Sequence, residues 1–281
     1  MSGTTKRSAA GHDGYVLGRS DAEYERLRSQ AQMWEAETVR LLDRAGLTPG
    51  ARCLDVGCGP GEVMRLMAEC VGPEGEVLGV DVDGELGAQA LAMLSGNGHR
   101  NCRFAAFDVE RDPREPGGRF DLVCARLLLI HTRDPAAVLA RLWEWVAPGG
   151  WLVVQDYDLL SGEVVPELDL IEDFKRVALG AFWGSGRDVR LGLRLPALHL
   201  EAGIGAPDCI DAGVRIGPLP GFARMYEAVY RSLLPVAREL GIVTAQEAEE
   251  WFAEFADRAR IAGEHTVLWP LLIGTATRKP G

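Results

Sequence analysis

The 281-residue sequence predicts an α/β fold, a doubly wound and mostly parallel sheet with helices on both faces. Two observations carry that expectation. Short apolar runs at about 52–56, 76–81, 102–107, 120–125 and 150–156 alternate with helical segments at about 60–71, 83–95 and 134–147, the pattern of βαβ units with right-handed crossovers. The first run then passes through Gly57, Gly59 and Gly61 straight into a helix, a strand–turn–helix unit that gathers backbone N–H groups at one point.

Taken in order, residues 1–19 begin with a stretch rich in Ser, Thr, Gly and Ala and read as a flexible tail. Ser20-Asp21-Ala22-Glu23 forms a capping box, so a helix is expected from Asp21. Tyr24, Leu27, Ala31, Trp34, Leu41 and Ala45 lie on one apolar stripe that runs to Gly46 and Pro49, predicting a single long helix. In the alternating region that follows, Pro148-Gly149-Gly150 stops the last helix and leads into Trp151-Leu152-Val153-Val154, a strand too apolar to be exposed. Beyond Tyr157 the alternation lapses. Helices are expected near 166–181 and 189–202, and two more within 219–262 broken near Gly241, with strands at about 208–216 and 265–277. Pro270 predicts an edge position or a bulge in the last strand. That strand is apolar enough to rejoin the core. Residues 20–281 therefore read as one domain whose insertions at about 160–205 and 219–262 cap a substrate site.

The net charge of −11 disfavours broad binding to nucleic acid or anionic membranes, which need basic surface. No apolar run approaches the ~20 residues that span a bilayer, and residues 1–13 are polar without a signal-peptide core. The six cysteines include no CxxC pair and sit mostly in apolar runs, reading as buried free thiols in a reducing compartment. A soluble, cytoplasmic protein acting on a small molecule is the expectation. HExxH, zinc-spaced cysteines, GxSxG and a Walker lysine are absent, so no metal site is assigned and the hydrolase and P-loop classes lack their residues.

Three acidic residues follow three successive strands: Asp55, Asp81 and Asp108. The carboxyl ends of parallel strands form the ligand crevice, so these side chains can converge on one molecule. Asp81 lies 20 residues after Gly61, a spacing suited to a ribose diol. A dinucleotide fingerprint would place its third glycine where this chain has Glu62, and Asp55 would repel a pyrophosphate while suiting an ammonium group.

Over about residues 50–157 these features together resemble the class I S-adenosylmethionine-dependent methyltransferases, small-molecule type. Asp55 to Gly61 looks like their first motif, Asp81 like their ribose-binding acid, Asp108 like their adenine-contacting acid, and Pro148-Gly149-Gly150 like the turn before their fifth strand. The resemblance implies a Rossmann-like sheet of seven strands ending in an antiparallel one. It also implies S-adenosyl-L-methionine as cofactor, held by the Gly57 and Gly59 backbone, Asp81, Val82, Asp108 and the Val109 amide, with Arg126 lining cofactor and substrate entrance. Tyr15, in a segment similar to the lid of such enzymes, would reach the cofactor carboxylate or pack against the first helix.

Methyl transfer from a sulfonium depends on alignment, and a base is needed only when the acceptor must lose a proton. His131, in the loop after the fourth predicted strand, is the candidate base, with anchoring of that loop as its other reading. Asp156, Tyr157 and Asp158 end the next strand either as orienting groups or as solvated residues. His199 reads as a satisfied histidine within a helix, and His265 as no better a candidate. The aromatics Phe174, Phe182, Trp183, Phe222, Tyr226, Tyr230, Trp251 and Phe255 read mostly as core, some as a lid over an apolar substrate. Two other classes stay open. One is a protein that binds the same cofactor without methylating, cyclase-like or regulatory; the other is an NAD-dependent oxidoreductase.

Overall fold

A computed structural model of the chain describes residues 21–258 and 263–281. Five strands run parallel in the order β3-β2-β1-β4-β5: β1 (Arg52–Val56), β2 (Glu76–Asp81), β3 (Cys102–Ala106), β4 (Phe120–Arg126) and β5 (Val146–Asp158). The chain moves outward from β1 to β3 and returns to lay β4 on the other side of β1. The carboxyl ends of β1 and β4 therefore part at a topological switch point, where such sheets bind ligands.

Both faces of the sheet are covered, and the pleat decides which residue serves which. Leu54 and Val56 pack with Val123 and Ala125 in one core, while Cys53 packs with Leu122 and Cys124 in the other. On the first face lies α5 (Pro135–Trp145), capped by the Asp134 carboxylate accepting from the Ala137 N–H at 2.9 Å, with Pro135 in the first turn. On the second lies α3 (Glu62–Val71). Following β2, α4 (Gly84–Gly96) is capped by Asp83, which accepts from Glu85 and Leu86 N–H groups.

The expected first helix is two helices, α1 (Asp21–Met33) and α2 (Glu35–Arg44), broken at Trp34. Nothing local forces the break, since neither glycine nor proline stands there. It follows from a distant tie: the buried Trp34 indole donates to the Tyr157 hydroxyl at 2.6 Å, and Arg215 covers the indole at 4.7 Å. The cysteines are all free, but Cys70 and Cys209 are half-buried rather than buried, and Cys209 lies against the Arg44 guanidinium.

The sheet has eight strands where seven were expected. The last, β8 (Thr266–Arg278), is antiparallel as anticipated but lies inside the sheet, not at its edge. One side of β8 pairs with β7 (Cys209–Pro218). The other pairs with β5 and, end to end with it, the short β6 (Glu163–Val165). Pro270 falls in the gap between those two partners and opposite the register shift in β7, so it occupies a bulge and not an edge. The remaining helices are α6 (Asp169–Gly184), α7 (Leu191–Glu201), α8 (Leu219–Glu239) and α9 (Ala245–Arg258). Gly192 brings α7 directly onto β5, where a Cβ would lie 2.5 Å from the Asp156 carbonyl oxygen. No helix among the described residues is long and apolar enough to cross a membrane.

Candidate functional site

A cavity of about 390 Å³ opens at the switch point, within the range of small-molecule sites. Its floor is made by the ends of β1, β2 and β4, and its roof by α1, α6, α8 and Trp269 of β8.

The floor is built by the glycine turn. Gly57 N–H and Cys58 N–H both donate to the Val80 carbonyl, at 2.8 and 3.1 Å, which folds the turn back over β2. Gly57 adopts φ +72° against Leu128, where a Cβ would lie 2.9 Å from a side-chain carbon; at Gly59 (φ +49°) the same space is open to the cavity. The Asp81 carboxylate accepts from Gly59 N–H and from Asp83 N–H, each at 2.9 Å. Asp81 therefore fixes the turn as well as facing the cavity.

Asp55 is the least satisfied group of the floor. Its side chain is buried, lines the cavity, and keeps Oδ2 without a hydrogen-bond partner among the described residues. Burial pushes its carboxyl up to about 7, with Arg126 working against the rise and Asp81 adding to it. Arg126, also on the cavity wall, donates to Thr38 Oγ1 at 3.0 Å and to the Ala31 carbonyl at 3.4 Å, tying β4 to both α1 and α2. An anionic and a cationic side chain thus share one end of the cavity. That pairing suits a ligand carrying both an ammonium and a carboxylate group. Further along, Val82 is 52% exposed in the cavity wall, and Val109 and Phe107 close that end.

Asp108 Oδ1 accepts from Glu110 and Arg111 N–H groups at 2.9 and 3.2 Å, capping the turn after β3, and the side chain stays half-exposed between Phe107 and Val109 of the cavity wall. Tyr15 lies outside the described residues. His131 ends a turn of 3-10 helix (Leu129–His131) and lines the cavity 6.0 Å from the Phe182 ring. Burial, reinforced by Arg26 and Arg187, drives it down to about 3, so the imidazole is neutral at ordinary pH and a weak base.

The three residues at the end of β5 are neither solvated nor alike. Asp156 is buried and accepts from Ile130 N–H at 3.1 Å and Tyr157 N–H at 3.0 Å, which holds the loop after β4; burial pushes it up to about 7. Asp158 accepts from Arg190 at 3.2 Å. Only Tyr157 faces the cavity. His199 is buried and pairs with the Leu195 carbonyl at 2.8 Å, and His265 with the Pro166 carbonyl at 2.7 Å; neither lines the cavity.

The roof is aromatic. Phe174 meets Tyr226 edge to face at 4.8 Å, and Tyr226 meets Trp269 at 5.1 Å. Behind them Tyr230, Trp251 and Phe255 stack at 4.1 and 4.4 Å as core, while Trp183 is exposed. Sequence reading missed Glu23, Arg26 and Gln30, which line the cavity from α1. Arg26 and Glu23 form a buried two-pronged pair at 2.8 and 2.7 Å. Their spacing of three and four residues marks a helix face, the signal that an apolar stripe alone overlooks.

A methyltransferase-domain family profile matches residues 25–191, more than half of the chain. An uncharacterised methyltransferase of Schizosaccharomyces pombe is 38% identical over 122 residues, 41% of this chain and 43% of that protein. The methyltransferase str3 of Strobilurus tenacellus is 35% identical over 153 residues, 54% of this chain and 52% of that protein. The chain thus spans about half the length of the curated relatives it matches. A provisionally named methyltransferase from Bacillus halodurans C-125 superposes with a TM-score of 0.58 at 20% identity, covering 88% of this chain and 100% of its own, a likeness of fold.

Proposed function

The chain belongs to the methyltransferase-domain family, and from that premise we propose that it moves a methyl group from S-adenosyl-L-methionine to a small, partly apolar molecule held under α6 and α8. The observation that carries the reading is the floor: Asp55 with its Oδ2 unpartnered and cationic Arg126 beside an open glycine turn, with Asp81 one strand away. Asp55 would hold the cofactor's ammonium group, Arg126 its carboxylate and Asp81 its ribose hydroxyls, while Val82 and Val109 flank the adenine. The cofactor supplies, when bound, an electrophilic methyl on a sulfonium. The aromatic roof excludes water and gives an apolar acceptor its binding surface. His131 serves as a neutral hydrogen-bonding wall rather than as the base. The chain's negative charge disfavours nucleic acid as acceptor.

Calorimetric titration with S-adenosylhomocysteine tests this directly, with micromolar binding expected and none to NAD. Binding of NAD alone overturns the reading. Incubation with labelled cofactor and candidate acceptors then separates transfer from the binding-only alternative.

A further inference from the structure

Tyr157 sits in the cavity wall with its hydroxyl surrounded by donors. Trp34 Nε1, a group that can only donate, gives it a hydrogen bond of 2.6 Å, and Gln30 Nε2 gives a second of 3.1 Å. The orientation of the Gln30 amide is set by Arg26, which donates to Gln30 Oε1 at 3.2 Å and so leaves the NH2 end toward Tyr157. The Trp269 indole faces the same oxygen as a third donor group, although its Nε1 falls outside hydrogen-bonding geometry. Burial raises the phenol above its ordinary range, so the hydroxyl keeps its hydrogen. Among the described residues that hydrogen meets no acceptor, and Tyr157 lines the cavity. A buried O–H without an acceptor is costly, and a ligand oxygen removes the cost.

We propose that Tyr157 donates this hydrogen bond to an oxygen of the methyl acceptor, so that the site selects apolar molecules carrying a carbonyl or hydroxyl oxygen. The proposal rests on the cavity being a methyl-acceptor site. The cofactor's amino-acid end already has Asp55 and Arg126, on β1 and β4, whereas Tyr157 lies on β5, next to β4 and two strand spacings or roughly 10 Å from β1. Trp269 of the roof stands beside it and offers a flat apolar body its surface, while Trp34 backs it from the buried core.

Two probes that differ only in the oxygen decide it: 2-acetylnaphthalene and 2-isopropenylnaphthalene, titrated into the full chain with and without S-adenosylhomocysteine and followed by tryptophan quenching. Wild type is expected to bind the ketone about fivefold more tightly, the worth of one neutral hydrogen bond. Tyr157→Phe should erase the preference and leave affinity for S-adenosylhomocysteine within about twofold. Trp269→Phe should keep the preference. Equal affinities in wild type, binding of neither probe, or a preference that survives Tyr157→Phe overturns the proposal. So does a preference lost in Trp269→Phe, which makes the indole the donor. A large loss of S-adenosylhomocysteine affinity in Tyr157→Phe also overturns it, since the hydroxyl would then serve the cofactor. If Tyr157→Phe does not fold, wild type and Trp269→Phe still decide. Should S-adenosylhomocysteine fail to bind wild type while the ketone preference holds, the activity falls and the hydrogen bond stands.

Discussion

The floor and the roof of the cavity are held by different forces. The floor is backbone: Gly57, Cys58 and Gly59 are fixed by hydrogen bonds to Val80 and Asp81, and their positions follow from strand spacing. The roof is side-chain packing, with Phe174, Tyr226 and Trp269 meeting ring on ring from three elements far apart in sequence. A backbone floor tolerates almost no change in what it binds, whereas a packed roof can be rebuilt one side chain at a time. The difference predicts a fixed cofactor beneath a variable acceptor.

Four substitutions test that division, the largest effect first. Phe174→Ala empties the centre of the roof and should lower unfolding free energy by about 3–5 kcal/mol in denaturant titration. Affinity for S-adenosylhomocysteine should stay within twofold, and a tenfold loss would show floor and roof to be one unit. Asp81→Ala removes a charged acceptor worth about 1.5–3 kcal/mol and should weaken cofactor binding more than tenfold by calorimetry, leaving probe binding in the roof intact. Unchanged cofactor affinity refutes its role.

Asp55→Asn sharpens the comparison through pH. Because burial raises this carboxyl from 3.8 to about 7, its contribution to stability is present below pH 4 and lost as pH rises through 7. The variant should therefore melt a few degrees above wild type at pH 8, at about 2–4 °C per kcal/mol for a chain of this size, and show no gain at pH 4. Its cofactor affinity should fall, so the floor would be seen trading stability for binding. Lys175→Ala, at the rim, breaks only solvent-facing pairs with Glu163 and Glu172 and should change stability by less than about 1 kcal/mol.

The same division explains what the sequence disclosed. Asp55, the glycine turn and Asp81 were legible because a strand, a turn and a helix fix their separation along the chain. The caps at Asp83 and Asp134 lie where the local pattern puts them. Asp108 followed the same rule of position, and its carboxylate also caps its own turn by accepting two N–H groups there. The break at Trp34 was illegible: its cause is a hydroxyl 123 residues away. Arg26 and Gln30 were passed over, and Glu23 was read only as a capping residue, because polar residues on a helix usually face water, and here they face a buried phenol and each other.

Pro270 has a consequence for how this molecule diversifies. Lacking an N–H, it interrupts pairing in the middle of β8, and on one side the chain from Leu159 to Gly162 crosses the interruption, with Leu159, Gly162 and Pro270 all lining the cavity. Insertions or deletions in that crossing need not disturb β5 or β6, each of which keeps its own stretch of β8. A lineage can thus resize the acceptor chamber by loop length alone, with the sheet and cofactor floor carried along unchanged.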